Sequence, residues 1–353
     1  MLQLSKIADL DIQLIDGDRG ENYPSRDEFY ENEYCLFLDA NNITSNGFDF
    51  STTHFITKEK DSKLRNGKLQ RNDIVIMTRG SVGNIAFYDN SIMYSNIRIN
   101  SGMLIIRCGK SISPLNVYYQ FKSPIVLKQI NDFMSGSVQK QLPVSILKEI
   151  KIFTCLNNNA NFLKLIDDKI ALNNKTNTEL ENMAKTIYDY WFTQFDFPDK
   201  NGHPYKTSGG QMVYSEILKR EIPAGWGVKR LNDFGEFKNG INYDPEEIGD
   251  TKVKIINVRN ITESTVFFTP EKFDELLLKA KDIQKYLTDD NDIFIARSGT
   301  PGATRLLPPD QKDTIFCGFI IRFKVFEKIK KNFLFFSIKQ FENQTNSQAA
   351  GTI

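Results

Sequence analysis

The chain has 353 residues, of which 40% are hydrophobic and 25% are charged, and its formal net charge is +1. This length and composition are typical of two or three globular domains with ordinary cores. The near-neutral charge excludes a global basic field that would hold nucleic acid without sequence preference, so any contact with nucleic acid must be local or shared with a partner.

The amino-terminal residues contain no apolar signal core, and no run in the chain reaches the roughly 18 apolar residues that a membrane span requires. The four cysteines, Cys35, Cys108, Cys155 and Cys317, show no CxxC spacing, and the only two histidines lie far apart in sequence. We therefore expect a soluble, cytoplasmic protein with reduced thiols and without a metal site.

The first part of the chain alternates short β-branched runs with tight turns. Residues 72–83, Asn-Asp-Ile-Val-Ile-Met-Thr-Arg-Gly-Ser-Val-Gly, indicate a strand that ends in a glycine loop, and residues 103–106 indicate a second strand. From 114 to 133 apolar residues recur about once per helical turn, which predicts a helix. The sequence therefore predicts an α+β domain over residues 1–155.

A long helix is predicted next. From Asn159 to about Gln194 the chain contains neither glycine nor proline. A mostly apolar set of residues, called the seam, recurs there at spacings that alternate between four and three residues. This heptad pattern predicts a helix of roughly 54 Å. Such a helix cannot bury its apolar seam alone and therefore needs a partner helix. A plain dimerisation coil is the alternative for this segment. The predicted seam comprises Ile166, Ile170, Asn173, Asn177, Leu180, Ala184, Ile187 and Trp191.

The rest of the chain repeats the first domain. Several prolines and glycines after Pro198 form a linker, so the central region is predicted to cover residues 156–225. Residues 291–302 then read Asn-Asp-Ile-Phe-Ile-Ala-Arg-Ser-Gly-Thr-Pro-Gly, and the Asn-Ile-Thr at 42–44 recurs at 260–262. A repeat this long predicts two tandem α+β domains of one fold, separated by a long coiled-coil-forming helix. The second domain would cover residues 226–353.

The two glycine loops are the candidate recognition sites. Glycine lets the backbone approach a ligand closely, so Arg79 and Arg297 beside the glycines would project from rigid strand ends. Arginine and asparagine read guanine and adenine edges, and serine or threonine suits phosphate contacts. The alternative is that each loop only closes a hairpin and that its polar residues are solvated. The candidate DNA-binding residues are Arg79, Gly80, Ser81, Asn84, Asn96, Arg98, Asn100, Lys140, Arg259, Asn260, Arg297, Ser298, Thr300 and Arg305.

The sequence contains no recognisable catalytic constellation. Neither glycine loop has the Lys-Ser/Thr of a phosphate-binding P-loop or the spacing of a dinucleotide fingerprint. Two distant histidines cannot supply a general base to both copies, and Asp167 and Asp168 are more simply a solvated helix face. No Asn-Pro-Pro-Tyr-like segment marks an amino-methyltransferase. The pattern indicates a protein that reads a ligand and does not transform it.

These features resemble the DNA-specificity subunits of type I restriction-modification systems, and the resemblance covers essentially the whole chain. It implies two target-recognition domains, each reading one half of a bipartite, asymmetric site in double-stranded DNA, and a helical spacer that sets the gap between the halves. It also implies a noncatalytic subunit. The segments that carry the resemblance are Arg79–Asn84, Ser135–Pro143, Ile166–Ile170, Asn182–Phe192 and Ile222–Trp226.

The resemblance further implies the partners. Two methyltransferase subunits would bind the helices, and restriction and translocase subunits would join that core. S-adenosylmethionine and ATP would be bound by those partner subunits, with no cofactor on this chain. The remaining alternatives are a coiled-coil interaction scaffold with duplicated ligand-binding domains and, third, a nuclease.

One feature departs from the family pattern. Residues 350–353 match residues 135–138, but the Gln-Lys-Gln-Leu-Pro and the helix that follow in the first copy do not follow in the second. We therefore expect a C-terminally truncated form in which the second conserved helix is missing. The seam would then be open to self-association through the central helix.

Overall fold

The computed structural model describes residues 4–134, 141–154, 159–243 and 249–342. Its contacts divide the chain into two units, residues 1–173 (unit 1) and 174–353 (unit 2). This division falls inside the long helix, whereas the sequence predicts domain boundaries at 155/156 and 225/226. Those boundaries stay predictions, and each unit includes about half of the helix.

Unit 1 is built from short strands and helices. Its strands are β1 (Leu4–Lys6), β2 (Ile12–Asp16), β3 (Cys35–Phe37), β4 (Ile43–Thr44), β5 (Gly47–Phe48), β6 (Phe55–Ile56), β7 (Ile74–Met77), β8 (Ile85–Phe87), β9 (Ile97–Arg98), β10 (Met103–Cys108) and β11 (Lys151–Phe153). Its helices are α1 (Lys58–Lys63), α2 (Pro114–Phe121), α3 (Pro124–Met134) and α4 (Val144–Glu149), followed by the start of α5 (Asn159–Tyr188).

The main sheet of unit 1 is antiparallel and has the strand order β2-β10-β7-β8. Because side chains alternate along a strand, Ile74 and Ile76 face one side and Val75 and Met77 the other. The first side packs against α2, α3 and the segment that contains α4. The second side packs against a smaller sheet of order β6-β3-β9, in which β3 and β9 are parallel.

Unit 2 repeats this arrangement. Its strands are β12 (Met212–Ser215), β13 (Arg220–Pro223), β14 (Gly235–Asn239), β15 (Thr251–Ile256), β16 (Asp274–Leu278), β17 (Asp292–Ala296), β18 (Thr304–Leu306), β19 (Thr314–Phe316) and β20 (Ile320–Val325). Its helices are α6 (Val258–Thr262), α7 (Ala280–Ile283) and α8 (Lys331–Lys339). The main sheet has the order β14-β20-β17-β18 and the smaller sheet β16-β15-β19. The predicted α+β fold in two copies is therefore confirmed.

The long helix is also confirmed. It covers Asn159–Tyr188 and continues into a π-helical turn, Asp189–Thr193. The predicted seam lies on its surface, because Ile166, Ile170, Asn173, Asn177, Leu180, Ile187 and Trp191 are exposed and Ala184 is half-buried. Among the described residues, no helix combines the length and the apolar character that crossing a membrane would need.

Within each unit, α5 is held by side chains that lie beside the predicted seam and not in it. In unit 1 the carboxylate of Asp167 accepts hydrogen bonds from the Tyr119 hydroxyl at 3.0 Å and from Lys122 at 3.3 Å. Asp167 is therefore part of a packing contact and not only a solvated residue. In unit 2 the Tyr188 hydroxyl lies 2.7 Å from the Ser337 hydroxyl, and Thr265 donates to Glu181. Among the described residues, none covers the seam.

Candidate nucleic-acid interface

The glycine loop of unit 1 joins β7 to β8. Its base is held by backbone hydrogen bonds from Thr78 N to Gly102 O at 2.8 Å and from Gly83 N to Met77 O at 3.1 Å. Gly80 and Gly83 have φ of 73° and 90°. An added Cβ would meet no atom within 4 Å at either position, so the backbone conformation, and not lack of space, requires glycine here.

The loop between β17 and β18 in unit 2 has the same backbone. Arg297 N donates to Phe319 O and Gly302 N to Ala296 O, each at 2.9 Å. Gly299 and Gly302 have φ of 78° and 86°. Because the bonds and the torsion angles both recur, the sequence repeat corresponds to one loop structure that is built twice.

The two loop arginines occupy neighbouring positions, not equivalent ones. The hydrogen bonds align Thr78 with Arg297 and Arg79 with Ser298. Both arginines are exposed, and within the described residues neither guanidinium has a hydrogen-bond or ion-pair partner. Gly80, Ser81 and Ser298 are also exposed, whereas Thr300 is half-buried. Each loop thus presents a free cation beside small hydroxyl side chains, a combination that suits phosphate and base-edge contacts.

Other predicted residues lie around the loop of unit 1. The Asn100 side chain accepts from Gly102 N at 2.8 Å, in the turn that bonds the base of the loop. The Asn84 side chain donates to Ile43 O at 3.2 Å, and Asn96 is half-buried. Asn84 and Asn100 therefore shape the surface near Arg79. Lys140 lies outside the described residues.

Arg98 is not part of this surface, and its placement contradicts the prediction. It is buried, and its Nε donates to Asp61 Oδ1 at 2.6 Å while its other nitrogens donate to the carbonyls of Asp61, Leu64 and Asn66. Burial alone would raise the pKa of Asp61, but hydrogen bonds from Lys68 and Arg98 hold this pKa below its usual value. Arg98 is a structural residue because each of its three guanidinium nitrogens has an internal partner.

Arg305 in unit 2 is likewise absent from the surface of its loop. It is buried, and its Nε donates to the carbonyls of Ile261 at 3.0 Å and Ser264 at 2.7 Å. Its Nη1 donates to Glu342 at 3.0 Å. The prediction of a DNA contact is therefore wrong for Arg305 as well. Arg259 is exposed but forms an ion pair with Asp274.

Asn260 is also structural. Its Oδ1 accepts from Asn257 N at 2.8 Å and its Nδ2 donates to Lys272 O at 3.1 Å. Asn42 makes the corresponding contacts in unit 1, accepting from Asp39 N at 2.9 Å and donating to Asp49 O at 2.8 Å. Both asparagines are buried. The repeated Asn-Ile-Thr thus preserves a turn, which corrects the assignment of Asn260 to DNA binding.

The structure adds two residues that the sequence did not indicate. Arg19 is exposed, forms an ion pair with Asp16 at 3.0 Å and donates to Ser101 O at 3.3 Å, which brings a paired guanidinium to the turn beside Arg79. Phe319 is exposed at the corresponding turn of unit 2, where its carbonyl accepts from Arg297 N. Each lies far from its loop in sequence, so no local motif reveals it. In the described ranges, His, Cys, Asp and Glu form no cluster of three that would suit a metal ion.

The region that contains the glycine loop of unit 1 is similar to a known family. Residues 11–182 match the family model described as "Type I restriction modification DNA specificity domain". A curated relative, the type I restriction enzyme MjaIX specificity subunit of Methanocaldococcus jannaschii, is 28% identical over 232 residues, which are 64% of this chain. The chain is therefore similar to type I restriction-modification specificity subunits over about half of its length.

Two further facts define the extent of this similarity. The matched region is 50% of the curated relative, so the chain spans about half of that protein's length. In fold, the chain is similar to the crystal structure of the S subunit of a type I restriction-modification system from M. genitalium. The TM-score is 0.53 at 13% sequence identity, and the match covers 100% of this chain and 80% of that one.

Proposed function

We propose that this chain is the DNA-reading subunit of a type I restriction-modification complex. The observation that carries the proposal is the pair of glycine loops, which share one backbone structure and each present an exposed arginine with no hydrogen-bond or ion-pair partner among the described residues. Two copies of one reading loop suit a bipartite site, with one half read by each unit. Because Arg79 and Arg297 are not at equivalent positions, the two halves would differ in sequence.

The same proposal assigns the chemistry to other subunits. The chain itself would be noncatalytic and would act in the cytoplasm, and S-adenosylmethionine and ATP would be bound by its partners. The exposed seam of α5, which contains Ile170 and Leu180, supports binding of two methyltransferase subunits through helices, and restriction and translocase subunits would join that complex. The length of α5 would set the gap between the half-sites.

Substitution of the two loop arginines tests the proposal. Arg79→Ala should relax recognition of one half-site and Arg297→Ala that of the other, each by about 1–3 kcal/mol, because a bidentate contact to a base edge would be lost. The measurement is the methylated motif, read by sequencing the DNA of cells that express each variant with its methyltransferase. Arg26→Ala is the control, since Arg26 is exposed outside the loops.

An equal loss at both half-sites in either variant would contradict base reading and would indicate a phosphate contact or a structural role. An unchanged motif in both variants would instead favour the alternative, a coiled-coil scaffold in which the loops do not meet DNA.

A further inference from the structure

Phe319 is an exposed aromatic residue beside the glycine loop of unit 2. It lies in the turn between β19 and β20, and its relative exposure among the described residues is 62%. A single exposed phenylalanine is ordinary on a protein surface. This one, however, is attached to the base of a candidate recognition loop, because its carbonyl accepts a hydrogen bond from Arg297 N at 2.9 Å.

The backbone of this turn is held on both sides. On the side away from Arg297, Gly318 N donates to Ile241 O at 2.7 Å. A Cβ added at Gly318 would lie 1.9 Å from Asn242 Oδ1, so the turn packs closely against the residues that follow β14. Phe319 is therefore a side chain with only two torsions on a fixed backbone, and such a group loses little conformational freedom when it contacts a ligand.

The corresponding turn of unit 1 carries a glycine. Thr78 N donates to Gly102 O at 2.8 Å. Since this is the bond that Arg297 makes to Phe319 in unit 2, Gly102 is the counterpart of Phe319. A Cβ added at Gly102 would lie 3.8 Å from Arg79 Cβ. Side chains at these two positions therefore start from neighbouring points on one surface.

The two units differ in which of these neighbouring positions carries the large side chain. Unit 1 has Arg79 and Gly102, whereas unit 2 has Ser298 and Phe319 at the equivalent positions. Each pair thus contributes one large side chain to the surface beside its loop. The phenyl ring of unit 2 emerges next to the place from which unit 1 presents the guanidinium of Arg79.

Building on the proposed function, on which this assignment depends, we propose that Phe319 reads a thymine in the half-site of unit 2 by contact of its ring with the thymine 5-methyl group. The guanidinium of Arg79 suits the acceptors on a guanine edge. A phenyl ring has no hydrogen bond to offer, and the thymine methyl is the apolar group that base pairs display in the major groove. Arg297 and Ser298 beside the ring supply the polar contacts that position the loop.

Insertion between two base pairs is the other way in which an exposed phenylalanine contacts DNA. That mode unstacks the bases and bends the duplex, and its cost is offset by the additional basic surface that the bent DNA meets. A chain with a net charge of +1 offers little such surface. Contact with a methyl group requires no bending, so it is the mode that fits this chain.

Replacement of thymine by uracil tests the assignment, because it removes only the 5-methyl group. The complex of this chain with its methyltransferase is titrated with duplexes that carry its methylated motif, in which each thymine is replaced in turn. We expect one replacement, in the half-site that Arg297→Ala relaxes, to weaken binding by the wild type about three- to fivefold, as burial of one methyl group predicts. Phe319→Ala should bind the thymine and the uracil form of that duplex equally.

Phe326→Ala is the matched control. Phe326 has a relative exposure of 59%, and it follows β20 where Phe319 precedes it, so the two residues lie at opposite ends of one strand. The control variant should respond to uracil as the wild type does. Circular dichroism establishes that both variants are folded.

Specific binding in which no thymine responds to uracil, or in which Phe319→Ala responds as the wild type does, overturns the assignment and leaves the proposed function standing. A loss of affinity in Phe319→Ala without any methyl dependence in the wild type identifies an inserted ring and also overturns it. Equal binding of cognate and scrambled duplexes by the wild-type complex overturns the proposed function, and the assignment with it.

Discussion

The two units differ in how an arginine pairs with the buried aspartate at the corresponding position of the main sheet. In unit 1 Arg107 donates to both oxygens of Asp73, at 2.9 and 2.7 Å. In unit 2 the corresponding Asp292 lies 3.8 Å from Arg322, and its Oδ1 has no hydrogen-bond partner in the described structure. The backbone of a repeated sequence can therefore be preserved while the electrostatics of its most buried carboxylate change.

This difference in pairing arises from the position of the arginine, because the two aspartates are held in the same way. Asp73 and Asp292 each accept a backbone N–H from the residue three positions earlier, at 2.7 and 2.9 Å. Lys324, and not Arg322, is the residue paired directly opposite Asp292 across the sheet. Arg322 thus approaches the carboxylate diagonally and does not form a bidentate pair. Burial raises the pKa of Asp292 to about 6 as a result.

The largest expected effect concerns the buried arginines, which differ in position between the units. Arg98→Ala should destabilise unit 1, and Arg305→Ala unit 2, by about 3–5 kcal/mol, because each leaves several backbone carbonyls without their donor and takes one of two cations from a carboxylate. Thermal unfolding followed by circular dichroism measures this loss. Arg79→Ala is the matched control and should change stability by less than about 0.5 kcal/mol. Normal stability of Arg98→Ala together with an altered methylation motif would restore Arg98 to the DNA interface.

The next effect is a pH dependence that belongs to unit 2. The folded pKa of Asp292, about 6, exceeds the usual 3.8, so the folded state retains a proton that the unfolded state releases. Stability should therefore fall by about 2–3 kcal/mol as the pH rises from about 4 through 6. Asp292→Asn should remove this slope, as seen in unfolding curves across that range. A slope that survives in Asp292→Asn but disappears in Asp73→Asn would reverse the contrast between the two units.

The smallest expected effect tests a similarity between the units. Asn42→Ala and Asn260→Ala each remove a buried side chain that bonds a backbone N–H and a carbonyl. Each should cost about 1–2 kcal/mol of stability, since a lost cap and newly unpaired polar groups both contribute. Chemical denaturation measures the two losses. If Asn260→Ala were stable but altered DNA recognition, the shared structural role assigned to the two asparagines would be wrong.

Local sequence predicted the features whose causes are local. The heptad spacing predicted α5, and the glycines predicted both loops, because periodicity and positive φ are properties of neighbouring residues. The burial of Arg98 depends on Asp61, and that of Arg305 on Glu342, each many residues away. An exposed and a buried arginine look alike in sequence when the partner carboxylate comes from a distant element. For the same reason neither Arg19 nor Phe319 was predicted near its loop.

The backbone of the glycine loops has a consequence for how such a protein diversifies. The torsion angles at Gly80 and Gly83 and the main-chain bonds at the loop base define its shape, and the side chains of Arg79 and Ser81 form no hydrogen bond within the described residues. Unit 2 illustrates this, because it carries serine and threonine at those positions on the same backbone. Mutation can therefore exchange the residues at the tip at little cost in folding, so one backbone support can carry different recognition residues.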